Sequence, residues 1–300
     1  MESELEALEQ QLRSANGVPP AERLIAYLRL VRELHVRDSA TVARYGSLLL
    51  RNHKGSLAEE ELWLVHEQVA IAALDSCALP FAESLARAVA RRFPESIRAR
   101  RLQAMCFEAR GEFEVAEKLY REMLTDDPAS EVIGKRLVAL ERSRGNLLSA
   151  IDVLKKYVDV FSNDKEAWEE LAEMYLEVNL PKQAAFCYEE LIMHNPGHSN
   201  YLVRYADILY TLGGAANYKT ARAYYAKVVE ATGGGSLRAL YGICACTANI
   251  ADKVSVQDSR SRAQLELPEV SAQSLLRIYQ TSAPDKLPMV TALLAKQGLV

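Results

Sequence analysis

Apolar side chains in the middle of the chain stand three and four residues apart: Trp168, Leu171, Ala172 and Tyr175 in one stretch, Ala184 and Tyr188 in the next. That spacing predicts short amphipathic helices, each with one face to bury. The pattern returns along the chain, because alanines at 82, 116, 150 and 184 recur at a spacing of 34 residues. Two short antiparallel helices need a small residue where they cross closely and larger apolar residues on either side, and alanine fills the crossing. Gly111, Gly145 and Asn179 fall between the paired helices, where a left-handed backbone suits glycine or asparagine. Pro94, Pro128 and Pro196 close the second helix of their units.

A period of 34 is that of the tetratricopeptide repeat. Residues 165–198 carry Trp168, Leu171, Ala172, Tyr175, Ala184, Tyr188 and Pro196 in the places of W-x2-L-G-x2-Y…A-x3-F…P, with another small residue for the motif's glycine. Residues 131–164, 97–130 and 63–96 repeat the frame in degenerate form. A fifth unit, 199–235, has Leu202, Tyr205, Ala206 and Leu209 in phase, but Ala221 and Tyr225 arrive about three residues late, which predicts an extended inter-helix loop TLGGAANYKT. The chain is therefore expected to be all-α, a tetratricopeptide-repeat solenoid over 63–235 between helical caps. The N-terminal cap, 1–62, breaks at Gly17–Pro20 and near Asn52–Gly55. The segment 236–300 holds an incomplete repeat helix LRALYGICACTANIA, a polar linker DKVSVQDSRSR, and cap helices near 269–281 and 286–297. Ala82, Ala116, Ala150, Trp168, Tyr175 and Ala184 are the expected packing positions.

Composition adds little to this reading. An apolar fraction of 49%, a charged fraction of 25% and a net charge of −4 describe an ordinary soluble globular protein without a global attraction for nucleic acid. The start MESELEALEQQ has no cationic segment followed by an apolar run, and no apolar stretch approaches the ~18–20 residues of a membrane span. Five scattered cysteines, Cys77, Cys106, Cys187, Cys244 and Cys246, form no C-x-x-C pair and read as reduced, buried thiols, which places the chain in the cytosol or nucleus. Catalytic chemistry finds no foothold. GGAANYKT, residues 213–220, has Tyr218 where a phosphate loop needs its second glycine, and it joins helices rather than following a strand. His194 and His198 have a zinc-like spacing, but Pro196 and Gly197 break the helix between them and no second ligand pair accompanies them. No catalytic residue, metal or cofactor is expected.

The charges become informative inside the repeat frame, because the resemblance to tetratricopeptide proteins implies that the first helix of each unit lines a concave groove. Arg98, Arg101, Lys135 and Arg142 occupy groove positions in two units; Glu166, Glu169, Glu173 and Glu177 occupy them in 165–198. The groove should thus pass from basic to acidic and hold a partner segment in one direction. The asparagine of the two-carboxylate clamp for chaperone tails is missing, because its place is taken by Met105, Ala139 or Glu173. Arg91, Arg92, Arg98, Arg100 and Arg101 form a basic cluster in sequence, interrupted by Glu95 and without interleaved aromatics, which suits an acidic protein partner or a plain surface better than nucleic acid.

Several longer stretches resemble one family, subunit 2 of the ER membrane protein complex. They are ELWLVHEQVAIAALD (61–75), RRFPESIRARRLQAMCFEARGEFEVAEKLY (91–120), DKEAWEELAEMYLEVNLPKQAAFCYEELIMHNPGHSNYLVRYADILYTLGG (164–214) and LRALYGICACTANIA (237–251). The resemblance implies a non-catalytic subunit on the cytosolic face of the ER membrane, peripheral and held there through partners, serving a complex that inserts transmembrane segments. The partners it implies are the tail of subunit 5, subunit 3 and a subunit 8/9-type protein. A tetratricopeptide adaptor of another cytosolic assembly is the alternative.

Overall fold

The computed structural model describes residues 2–14, 17–251 and 261–299. Among them every regular element is a helix. Eight α-helices make up a first compact unit, Met1–Asn146. They are α1 (Glu2–Ser14), α2 (Ala21–Glu33), α3 (Ser39–Asn52), α4 (Glu59–Asp75), α5 (Leu79–Arg92), α6 (Ile97–Ala109), α7 (Phe113–Asp126) and α8 (Glu131–Ser143). The second unit, Leu147–Val300, holds α9 (Leu147–Val160), α10 (Lys165–Glu177), α11 (Pro181–His194), α12 (Ser199–Leu212), α13 (Ala215–Ala231), α14 (Leu237–Ala251), α15 (Ser261–Ser282) and α16 (Leu287–Lys296). The division falls between α8 and α9, inside the stretch 131–164. Within each unit every helix packs on the next in sequence, as short connections between antiparallel neighbours require. The arrangement is tetratricopeptide-like.

The turns inside the helix pairs show the repeat most directly. Cys77, Gly111, Gly145, Asn179 and Gly213 all have positive φ, at 58°, 81°, 79°, 57° and 71°. They lie 34 residues apart. After the first four, the next N–H reaches back five residues: Ala78 to the Ala73 carbonyl, Glu112 to Phe107, Asn146 to Glu141 and Leu180 to Tyr175, at 2.8 to 3.1 Å. A left-handed residue followed by this bond satisfies carbonyls that the helix end leaves open and reverses the chain within two residues. Cys77 also corrects an expectation: it is exposed rather than buried, because the left-handed turn sits outside the helix packing. The other four cysteines are buried, and burial pushes the Cys187 thiol up to about 12 and those of Cys106, Cys244 and Cys246 up to about 11.

Two other expectations change. TLGGAANYKT is not an extended loop: Gly213 and Gly214 make the whole turn and α13 starts at Ala215, running for 17 residues. The residues beyond the repeat length extend the helix, and Asn217 steadies its first turn by donating to the Gly213 carbonyl at 2.8 Å. Ala221 and Tyr225 are still buried. At the C-terminal end α15 begins at Ser261, ahead of the expected 269, and contains Pro268. Of the expected linker DKVSVQDSRSR, residues 252–260 lie outside the described residues.

Ala82, Ala116, Ala150 and Ala184 are fully buried. At one contact even alanine is too large: a Cβ on Gly242 in α14 would lie 2.5 Å from the Tyr225 ring of α13. Trp168 and Tyr175 are only half-buried, and the Trp168 indole donates to the Ser162 carbonyl at 2.8 Å.

Enlarging Ala116 in α7 or Ala184 in α11 to leucine should overpack α6 against α7 or α10 against α11 and cost roughly 1–3 kcal/mol, read from urea denaturation. Gly111→Ala has open space around its new methyl group but a φ of +81°, so its cost of roughly 1–2 kcal/mol should come from the backbone alone. A Gly111→Ala variant as stable as the parent would show that the turn relaxes freely.

Candidate functional site

The groove charges foreseen from the repeat frame lie on alternate helices, α6, α8 and α10; three of them, Arg98, Arg101 and Glu173, belong to a wider set of ion pairs that join a helix to the next but one. Glu61 of α4 takes Arg29 at 3.1 Å and also Arg32, both from α2. Glu67, further along α4, takes Arg98 and Arg101 of α6 at 2.5 and 2.9 Å. Glu108 of α6 takes Arg136 of α8 at 2.9 Å. In the second unit Glu173 of α10 takes Arg204 of α12 at 3.4 Å, and Asp207 of α12 takes Arg238 of α14 at 2.7 Å.

Three of these carboxylates have a second duty. The buried hydroxyls of Tyr120, Tyr188 and Tyr225 donate to Glu108, Glu173 and Asp207 at 3.0, 3.2 and 2.6 Å. Each tyrosine comes from the helix between the two that the ion pair joins, so one carboxylate ties three helices. Burial, reinforced by the carboxylate, raises all three phenol pKa values. Part of this arrangement had a sequence signal: Glu173 and Asp207 are 34 residues apart, and so are Arg204 and Arg238. Glu67 and Glu108 follow no such period and emerge only from the packing.

The structure brings Arg98 and Arg101 together on Glu67. Lys135 is half-buried and Arg142 exposed, both on α8. Glu166, Glu169 and Glu177 are exposed on α10, while Glu173 is half-buried and held by Tyr188 and Arg204. The basic run of the sequence does not gather into one patch. Arg92 pairs with Glu59 at 2.8 Å and Arg100 with Asp126 at 2.6 Å, so these guanidiniums leave in different directions from Arg98 and Arg101.

Along α4 the first unit is hollowed. One cleft of about 770 Å³ is lined by Trp63, Leu64, Val89, Phe93 and Ala99. A second, of about 560 Å³, includes Arg32, Arg37, Ile71, Met105 and Arg136. The two share Leu64, Glu67 and Arg98. Apolar surface with guanidinium donors around it suits recognition of another polypeptide; the four buried cysteines are too desolvated to act as ready nucleophiles.

The family model of the EMC2 TPR-like repeat domain matches residues 88–217. ER membrane protein complex subunit 2-A of Xenopus laevis is 32% identical over 269 residues, 90% of each chain. The chain belongs to the ER membrane protein complex subunit 2 family. Another subunit 2, from Dictyostelium discoideum, is 29% identical over 88% of this chain and 84% of its own. TPR repeat protein oca3 of Schizosaccharomyces pombe is 36% identical over 57% of this chain and 62% of its own. Among solved structures, the C-terminal part of a TPR repeat-containing protein from Cytophaga hutchinsonii matches 87% of this chain and 97% of its own with a TM-score of 0.56, at 12% identity, a likeness of fold alone.

Glu67→Gln should cost roughly 1–3 kcal/mol in urea denaturation, because hydrogen bonds to a charged group are lost at two arginines. Asp75 gives a pH test. Burial works to raise its carboxyl pKa, yet the hydrogen bonds from Ser39 and Arg37 hold it below the usual aspartate range. A depressed folded pKa contributes stability above the unfolded value of about 3.9, and that contribution is lost as pH falls through the folded value. Carboxyl NMR should therefore titrate Asp75 below free aspartate in the parent and nearer to it in Arg37→Gln.

Proposed function

We propose that this chain is a non-catalytic scaffold subunit of the ER membrane protein complex, where it organises cytosolic segments of membrane subunits during insertion of transmembrane proteins. The observation that carries this reading is the match to subunit 2 relatives over nine-tenths of the chain. The repeat fold supports it, since such helix pairs present extended side-chain surfaces for binding. Among the described residues no helix is long and apolar enough to cross a membrane, which agrees with an attachment made through partners. By the same family reading those partners are the subunit 5 tail, subunit 3 and a subunit 8/9-type protein, on the cytosolic face of the ER. The competing reading is a tetratricopeptide adaptor of a different cytosolic assembly.

The first test is recovery of a tagged chain from digitonin-solubilised membranes. Membrane subunits of the ER complex should co-purify, and alkaline washing of intact membranes should release the chain. A chain that survives the wash in the membrane, or that co-purifies with a different assembly, would overturn the proposal.

A second test addresses the acidic face of α10. Glu169 is exposed, whereas Glu173 also holds Tyr188 and Arg204, so reversal at Glu173 would disturb packing as well as binding. Glu169→Lys should leave melting within about 0.5 kcal/mol of the parent. Partner capture should fall about tenfold, near 1.4 kcal/mol, with partial recovery at high salt. Glu114→Lys, an exposed reversal on α7, serves as the control and should capture normally. Equal capture by all three proteins would remove α10 from the binding surface.

A further inference from the structure

In two ion pairs beside the hollows of α4, the arginine is far more exposed than its carboxylate. The Arg98 side chain is 62% exposed over a Glu67 that is 12% exposed, and Arg37 is 82% exposed over an Asp75 that is 25% exposed. The carboxylate lies underneath and the guanidinium on top. Each arginine carries five N–H donors in a planar fork, and a single carboxylate beneath it engages only one side of that fork. What solvent meets over Glu67 and Asp75 is therefore cationic, whereas at the start of α4 the order is reversed, Glu59 being 70% exposed against 52% for Arg92.

Apolar surface runs beside these cations. Leu64 and Phe93 remain solvent-exposed although both line the larger cleft, and the Phe93 ring stands edge-on to Trp63 with centroids 5.6 Å apart. Leu64, Glu67, Ile71 and Asp75 follow one another at helical spacing on α4, so the face from the aromatic cleft to Asp75 extends about 16 Å. Glu59 and Glu60 stand at the cleft end, while Arg98 and Arg37 serve the middle and far end. A ligand with carboxylates would be repelled at the first and attracted at the others.

We infer that the hollow along α4 is a docking site for an acidic amphipathic segment of a partner protein, with its apolar anchor between Trp63, Leu64 and Phe93 and its carboxylates on Arg98 and Arg37. The inference rests on the scaffold reading and adds the chemistry of the segment and its direction. Arg98 at the edge of the apolar slot and Arg37 beyond it select against a basic segment by charge, and the unfilled cleft selects against a purely polar acidic segment.

The test uses the full chain and three fluorescent twelve-residue peptides: an amphipathic one with leucine and glutamate at helical spacing, the same peptide with lysine for glutamate, and an acidic scramble that has no apolar face. Anisotropy should show the first peptide binding at least tenfold more tightly than either of the others, with at least a threefold loss between 50 and 300 mM salt. Arg37→Gln combined with Arg98→Gln should weaken it at least fivefold. Leu64→Ser, which touches no ion pair, should weaken it without altering the melting curve, and Arg121→Gln on α7 should bind like the parent. Tight binding of the lysine peptide or the scramble would overturn the inference. So would failure of all three peptides to bind, or unchanged affinity in both the arginine and Leu64 variants. A chain that co-purifies with the ER complex but ignores the acidic peptide would lose this inference alone, whereas peptide binding without co-purification would leave the site standing and remove the complex assignment.

Discussion

Close approach between paired helices is the constraint on which the rest of the structure depends. Helices of 13 or 14 residues, such as α6, α7, α10 and α11, are too short to be stable alone in water and gain their stability from the face they bury. Ala116 and Ala184 are fully buried, and side chains this small leave room for the paired backbones to approach. Glycine does the same for α14 against Tyr225. The left-handed residues at 77, 111, 179 and 213 are the other half of this constraint, since each reverses the chain quickly enough for the second helix to return along the first.

Once the helices are set in this way, their charged positions acquire neighbours. A carboxylate on one helix lies within reach of an arginine two helices later, and the tyrosine of the helix between can touch the same carboxylate. Glu108, Tyr120 and Arg136 form such a group in the first unit, and Asp207, Tyr225 and Arg238 form one in the second. The acid is covered and the guanidinium faces outward in several of these pairs, so the same side chains make stabilising contacts and set the charge that solvent meets. Removing an acid from such a pair changes both packing and surface charge, which is why exposed Glu169 and engaged Glu173 must be treated differently although both are acidic residues of α10.

Membership of the subunit 2 family and the charged faces bear on different levels of function. The family gives the setting, an ER membrane complex, through similarity that spans most of the chain. The faces differ in charge, with Arg37 and Arg98 beside α4 and exposed Glu169 on α10. The four buried thiols, with pKa values pushed up by desolvation, are poor nucleophiles.

The sequence by itself determined the all-helical repeat and three of its left-handed turns, because these follow from local rules: a face repeats every three or four residues, and glycine or asparagine tolerates positive φ. It also carried the family, in long runs of matching residues. It misjudged what depends on how a helix begins and on what lies outside the packing. The surplus residues after Gly214 became part of α13, since nothing in AANYKT stops a helix, and Cys77 took a left-handed position that its residue type does not advertise. Only tertiary structure decided which groove charges are paired. Glu67 is separated from Arg98 and Arg101 by an entire intervening helix, and Coulomb attraction acts on distance in space, which a linear pattern of signs does not contain.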